Sequence, residues 1–218
     1  VSALALRYFY VQHQWRRRTE SEAEARFQAL QSRIRPHFLF NCMNTIASLT
    51  RRHPTLAEEA IEDLADLFRA SLQDIHHTST MIDEISLCER YLRIEKHRLG
   101  DRLQVVWDTD ALPMSMQIPS LSLQPLLENA IYHGIEPLSE GGTIKILSQN
   151  NNKQYSITIE NPVSENLSSD THHEGNKLAQ DNIRQRLLAF FGPGANMIVT
   201  PFENKYRVTI TIPHALAD

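Results

Sequence analysis

Apolar positions in the first half of the chain recur every three or four residues. From about residue 12 to 50, Phe27, Leu30, Ile34, Phe38, Cys42, Ile46 and Leu49 share one stripe, which predicts a helix. A short connector, RRHPT (51–55), follows. Thr55 with Glu58 three residues on forms a capping-box pattern, and Leu56, Ala60, Leu64, Leu67, Phe68, Leu72 and Ile75 continue at helical spacing. Two helices joined by so short a link form an antiparallel hairpin. One hairpin leaves much of both apolar stripes in water. Two copies in a four-helix bundle bury them, which predicts a homodimer. Residues 81–98 form a third helical stretch, ending near Gly100.

Beyond residue 101 the period shifts to two. LQVVWD (103–108), TIKILSQ (143–149) and KQYSITIE (153–160) predict strands, with a turn at Asn150, Asn151 and Asn152. NMIVT (196–200) and YRVTITI (206–212) predict a second hairpin. Helices over about 121–133 and 181–191 interrupt the strands, stopped by Gly134 and Gly192. Residues 162–180, rich in Ser, Asn, His and Glu, predict a long mobile loop. The expected fold class is α+β: an N-terminal helical hairpin, dimerising as a four-helix bundle, then an α/β sandwich.

Composition narrows the function classes. Of the 218 residues, 41% are hydrophobic and 22% charged, which marks a globular chain. The net charge of -4 and the lack of a broad basic block exclude nucleic-acid binding through a phosphate-neutralising surface. Cys42 and Cys88 stand far apart and read as free thiols in a reducing compartment. The first eighteen residues, VSALALRYFYVQHQWRRR, run from apolar to aromatic to Arg16, Arg17 and Arg18. That order matches the cytoplasmic exit of a membrane span, at about half of the ~20 residues a span needs. It reads as the tail of a last transmembrane helix, with an amphipathic helix end as the alternative.

The most pointed chemistry lies in IRPHFLFNCMNT. Pro36 removes one helical hydrogen bond beside His37 and frees the carbonyl of Ser32. His37, Asn41, Asn44 and Ser48 make a polar stripe beside the apolar one. A neutral imidazole on a solvent-facing stripe is a nucleophile toward a phosphoryl group. A single helical histidine is, by itself, more often an ordinary surface residue. The pairs His76–His77 and His172–His173 lack partners at metal-ligand spacing and read as solvated.

The string PHFLFN, with LQSRI before it and MNTIASL after it, resembles the signature of LytS/YehU-type sensor histidine kinases, most closely sensors of the AlgZ or FimS kind. DLADLFRASL (63–72) and ERYLRIEKHRLGDRLQV (89–105) extend the resemblance. It implies that His37 accepts the phosphoryl group, with Asn41 as helper. IPSLSLQPLLENAIYHGIEP resembles the N-box of the GHKL ATP-binding fold. There the resemblance makes Asn129 a magnesium ligand and Glu128 a base or water-binding group, with His133 on the same helix face as Asn129. An amide oxygen suits Mg²⁺, and a polar pair on an otherwise apolar helix needs partners.

Other parts of the pattern depart. Asn161 stands where an adenine-reading Asp is expected, and Pro162 and Val163 follow without glycines. The second glycine box appears as GNKLAQDN: Gly175 and Asn182 remain as nucleotide-binding candidates, while Lys177 and Ala179 replace glycines, Lys177 being able itself to pair with a phosphate. Tyr132 stands where a basic residue is frequent. Asn182 and Arg184 open the following helix, where anions are favoured.

The resemblance thus implies four segments: 1–18 as the membrane-proximal tail, 19–78 as the dimerisation and phosphotransfer hairpin, 79–100 as a linker helix, and 101–218 as the GHKL-like domain. Its cofactors are ATP and Mg²⁺. Its partner is a response regulator, with a LytTR-type DNA-binding domain, and its place is the cytoplasmic side of a bacterial inner membrane. Flexibility near 77–82 is expected to let the pocket reach His37. Two readings stand: an autokinase, or a degenerate kinase acting as regulator-binding scaffold or phosphatase with little ATP use. A chaperone-type or mismatch-repair ATPase fits less well, having no need of a histidine-bearing hairpin.

Overall fold

The computed structural model describes Arg7 and residues 36–72, 77–151, 153–163, 173–202 and 204–214. Phe27, Leu30, Ile34, Ser32, Ile75 and all of the membrane-exit segment but Arg7 lie outside the described residues. Two compact units, Val1–Asn44 and Thr45–Asp218, divide the chain. Among the described residues no helix is long and apolar enough to cross a membrane.

Helix α1 (Pro36–Arg52) and helix α2 (Pro54–Leu72) are joined through His53 alone. The second helix starts one residue before Thr55, at Pro54, whose fixed φ and missing N–H suit a first helical position. His53 donates its N–H to the carbonyl of Leu49, and its own carbonyl accepts from Ala57 N–H. Helix α1 buries Cys42 and Ile46, and α2 buries Ala57, Ala60, Leu64 and Leu67, as the apolar stripes require.

Strand β1 (Thr78–Thr80) leads into helix α3 (Met81–Leu99). Thr80 caps it with a capping box: Asp83 N–H donates to Thr80 Oγ1 at 3.3 Å, and Thr80 N–H donates back to Asp83 Oδ2 at 3.2 Å. The chain then forms β2 (Leu103–Asp108), β3 (Gln117–Pro119), a short helix α4 (Gln124–Asn129) and a π-helical turn (Ala130–Ile135). Next come β4 (Gly142–Asn151), β5 (Gln154–Pro162), α5 (His173–Phe191), β6 (Asn196–Phe202) and β7 (Lys205–Pro213).

Five strands form one mixed sheet in the order β2-β4-β5-β7-β6. Only β2 and β4 run parallel, so the chain between them crosses over, and that crossover carries β3, α4 and the π turn. Alternate residues Ile144 and Ile146, Ile157 and Ile159, and Val208, Ile210 and Ile212 are buried on one face. The π turn packs against β4 and β5, α4 against α3 and α5, α5 against β6, and α3 against β2. The Asn151 side chain closes the β4–β5 turn by accepting from Lys153 and Gln154 N–H. These strands lie where the period-two pattern predicts them, within two residues at each end.

Four expectations are corrected. First, residues 77–82 are not a loose hinge: β1 pairs antiparallel with β3. His77 O accepts from Ser120 N–H, while Met81 and Ile82 donate to the carbonyls of Met116 and Met114. Second, Gly134 does not stop the site helix, which continues to Ile135, with Glu136 N–H donating five residues back to Ile131. Third, α5 begins at His173, eight residues earlier than predicted. Fourth, residues 173–180 are therefore helical rather than loop, and residues 164–172 lie outside the described residues.

Helix α3 is held on both sides by buried charge. Toward α2, the Asp63 carboxylate, 5% exposed, accepts from Arg93 Nε at 2.7 Å and Nη2 at 3.1 Å and from Arg90 Nη1 at 3.3 Å. Toward the sheet, Arg98 bridges Glu95 and Glu136, and Arg102 Nη2 donates to the carbonyls of Glu136 at 3.0 Å and Leu138 at 2.7 Å. Burial pushes the Glu95 carboxyl up from about 4.5 to about 6. Arg98 opposes that rise, while Glu136 and Glu128 add to it.

Two outcomes are expected. A Cβ on Gly134 would stand 2.2 Å from Asn161 Nδ2 and 2.8 Å from the Pro162 carbonyl, while one on Gly100 (φ 59°) would meet nothing within 4 Å. Gly134→Ala should therefore cost about 2–3 kcal/mol in urea unfolding, and Gly100→Ala about 1 kcal/mol from backbone strain alone; equal costs would contradict the packing. For Glu95, the folded pKa lies above the unfolded one, so its stabilisation is complete below about pH 4.5 and is lost as pH rises through about 6. Unfolding of the wild type relative to Glu95→Gln, followed across that window, should show the difference fall by about 2 kcal/mol. A flat difference would mean that the carboxyl titrates normally.

Candidate functional site

The histidine of the PHFLFN string lies in the first turn of α1, exposed to solvent. Asn41, one turn on, places its amide nitrogen 3.3 Å from His37 Nδ1 and 3.5 Å from Nε2. Which partner donates in this contact depends on the tautomer of the ring. Asn44 and Ser48 are exposed on the same stripe, and Cys42 and Ile46 are buried away from it. The stripe read from the sequence is a real solvent-facing surface of this helix.

The second cluster is built on the crossover. Leu126, Leu127, Ala130 and Ile131 are buried, with α4 packed against α3 and α5 and the π turn against β4 and β5, which fixes the rotation of the segment. That rotation leaves Asn129 buried at 6% and Glu128 half-buried. Gln124, one turn earlier, donates Nε2–H to Glu128 Oε1 at 3.0 Å. Glu128 also lies close enough to α3 for its charge to act there. The Cys88 thiol is pushed well up, first by burial and then by Glu84, Glu128 and Glu89. His133 follows Asn129 by one turn, its ring meeting Tyr132 edge-on at 4.7 Å between centroids. The π turn widens the helix at this point, a distortion that recurs at functional sites.

Asn161 reaches the same segment from β5. It is 4% exposed, donates Nδ2–H to the Pro162 carbonyl at 2.7 Å, and packs over Gly134. With its amine turned to that carbonyl, its oxygen is left as the acceptor end. The structure thus brings Asn161 against Gly134, the residue after His133 and five after Asn129, all within the unit 45–218.

Other predicted residues are not gathered there. Gly175 and Lys177 sit on helical backbone of α5, not on a glycine loop. Asn182 is exposed on the same helix. Arg184 is turned to β6, with Nε donating to the Met197 carbonyl at 3.1 Å and Nη1 pairing with Asp181 at 2.8 Å. Arg186 donates to the Ser120 carbonyl, tying α5 to the loop before α4.

Asn129 offers a single amide side chain to a cation held on phosphate. Among the described residues no three His, Cys, Asp or Glu side chains form a metal cluster. A magnesium ion here would take Asn129 and phosphate oxygens, with water filling its remaining positions, which is its usual preference. The amide oxygen of Asn161 suits an amino-group donor such as adenine.

One residue escaped the sequence reading. Glu84, on α3, is 2% exposed and accepts from Leu121, Ser122 and Leu123 N–H and from Ser79 Oγ–H. Its only local sequence signal was an acidic residue in the first turn of a helix, which is ordinary.

The histidine kinase family model matches residues 25–103, a span that contains His37 and all of α3. The sensor histidine kinase YpdA of Escherichia coli (strain K12) is 34% identical over 186 residues, 82% of this chain and 33% of YpdA. The sensor protein LytS of Staphylococcus haemolyticus is 28% identical over 201 residues, 87% of this chain and 34% of LytS. The histidine kinase domain of a blue-light activated kinase from Erythrobacter litoralis superposes with a TM-score of 0.44 at 21% identity, over 89% of this chain and 94% of that one. That likeness is too loose to carry weight. This chain, spanning about a third of the length of those two sensor proteins, belongs to the sensor histidine kinases of the LytS type.

Proposed function

We propose that the chain is the kinase core of a two-component sensor: residues 101–218 bind Mg-ATP, and His37 takes its γ-phosphoryl group. The observation that carries this is the exposed His37–Asn41 pair on α1, in a chain whose crossover presents Glu128 and Asn129 together. An unprotonated His37 ring nitrogen attacks the γ-phosphorus. The bond to the β,γ-bridging oxygen breaks, ADP leaves with that electron pair, and the ring proton passes to water. Asn41 holds the ring. Asn129 would bind Mg²⁺, which supplies charge neutralisation on the phosphates when present. Glu128 holds water beside it, Asn161 accepts from the adenine amine, and His133 lines the same patch. A response-regulator aspartate then takes the phosphoryl group from His37.

Segments 19–78 and 79–100 act in this reading as the dimerising phosphotransfer hairpin and its linker. Large apolar side chains on the described helices support a second copy: Phe40 and Met43 on α1 are 69% and 56% exposed, and Ile61 and Leu72 on α2 are 52% each. Residues 1–18 join this core to a membrane anchor, and the regulator carries a LytTR-type DNA-binding domain. The finer likeness to AlgZ or FimS sensors rests on the PHFLFN string.

A second reading has its own support. The helical backbone at Gly175 and Lys177 engages the amides that a glycine box would aim at phosphate, and Arg184 is attached to β6. A scaffold or phosphatase that uses little ATP fits that arrangement. Incubation with radiolabelled Mg-ATP separates the two. The kinase reading expects acid-labile, base-stable label on the wild type and at least a 100-fold loss, about 2.7 kcal/mol, in His37→Gln. No heat of Mg-ATP binding in calorimetry would leave only the scaffold.

A further inference from the structure

The short site helix has no cap of its own. Its N-cap residue, Leu123, makes no side-chain capping bond, and the preceding Leu121 is held at φ 58°, a left-handed conformation costly for a branched side chain. Left-handed backbone at Leu121 turns three successive amides, Leu121, Ser122 and Leu123, onto one point. That point is the Glu84 carboxylate: Oε1 accepts from Leu121 N–H at 2.7 Å, and Oε2 from Ser122 N–H at 2.8 Å and Leu123 N–H at 3.1 Å. Ser79 Oγ–H completes the set at 2.9 Å. A carboxylate this buried survives only because donors replace its water, and the strained turn survives only because the carboxylate gathers its amides. The other end of the segment is held from the same helix, by Arg98 on Glu136 and Arg102 on the carbonyls of Glu136 and Leu138. Glu128 and Asn129 lie midway between the two grips.

From this geometry we infer that Glu84 is a positioning residue for the nucleotide site: it caps α4 from outside and sets the register at which Asn129 meets the metal-bearing phosphates. The inference rests on the Mg-ATP reading above and adds that helix α3 belongs to the site. The adenine side, built on Asn161 of β5, does not depend on this grip. Removing it should therefore weaken binding only when Mg²⁺ is present.

The test uses the full chain. Glu84→Gln keeps the shape but points an amide N–H₂ at backbone donors. It should weaken calorimetric Mg-ATP affinity about tenfold and change ATP affinity in EDTA less than about twofold. Hydrogen exchange should accelerate about 100-fold at amides 121–123 and stay unchanged in β4, β5 and β7. Ser79→Ala removes one donor while keeping the charge and should give about a fivefold faster exchange at the same amides. Should Glu84→Gln not fold, Ser79→Ala decides. Equal loss of affinity with and without Mg²⁺, or unchanged exchange at 121–123 in a folded variant, overturns the inference. A wild type that binds neither form of ATP defeats the kinase reading, and the exchange data then decide the role of Glu84 by themselves.

Discussion

A carboxylate buried at 2% exposure organises this domain. Glu84 cannot sit in the interior without donors, and the donors it finds are the backbone amides that begin α4. The requirement works in both directions. A six-residue α-helix followed by a π turn has little stability of its own, since so short a segment cannot repay its nucleation cost. Its geometry is borrowed from α3, which is long, capped at Thr80 and packed on both sides. Everything the crossover presents, Glu128 and Asn129 included, inherits its place from that helix.

The same principle explains why the linker is not loose. Asp63, itself buried, receives two part-exposed arginines from α3, and a buried carboxylate left without donors is costly. Strand β1 pairs with β3 directly before the helix begins. From α2 to α4, the described residues form a continuous series of buried polar grips.

The proposed nucleotide site draws on two regions, the crossover with β5 and the start of α5. Gly134 admits the Asn161 amide to the π turn, and that close approach explains a glycine where a helix continues. Gly175, Lys177 and Ala179 lie within α5. Lysine and alanine favour helix, because they lose less backbone freedom than glycine would. That helical backbone is the ground on which the autokinase and scaffold readings differ.

Local pattern alone settled much. The period-two runs located all five strands of the main sheet, and the three-and-four spacing located α1, α2 and α3. The PHFLFN string led to a histidine that is exposed, and Glu128–Asn129 to a helix on which Glu128 is half-buried and Asn129 buried. What the sequence could not settle were features whose cause is distant in the chain. Strands β1 and β3 are three residues each and exist only by pairing across nearly forty positions. Glycine ordinarily ends a helix, but at Gly134 a neighbour on β5 needed the space. Glu84 looks like any first-turn acid until residues 121–123 come to meet it, because a carboxylate's burial and partners belong to the tertiary structure, while periodicity and propensity belong to neighbours in sequence.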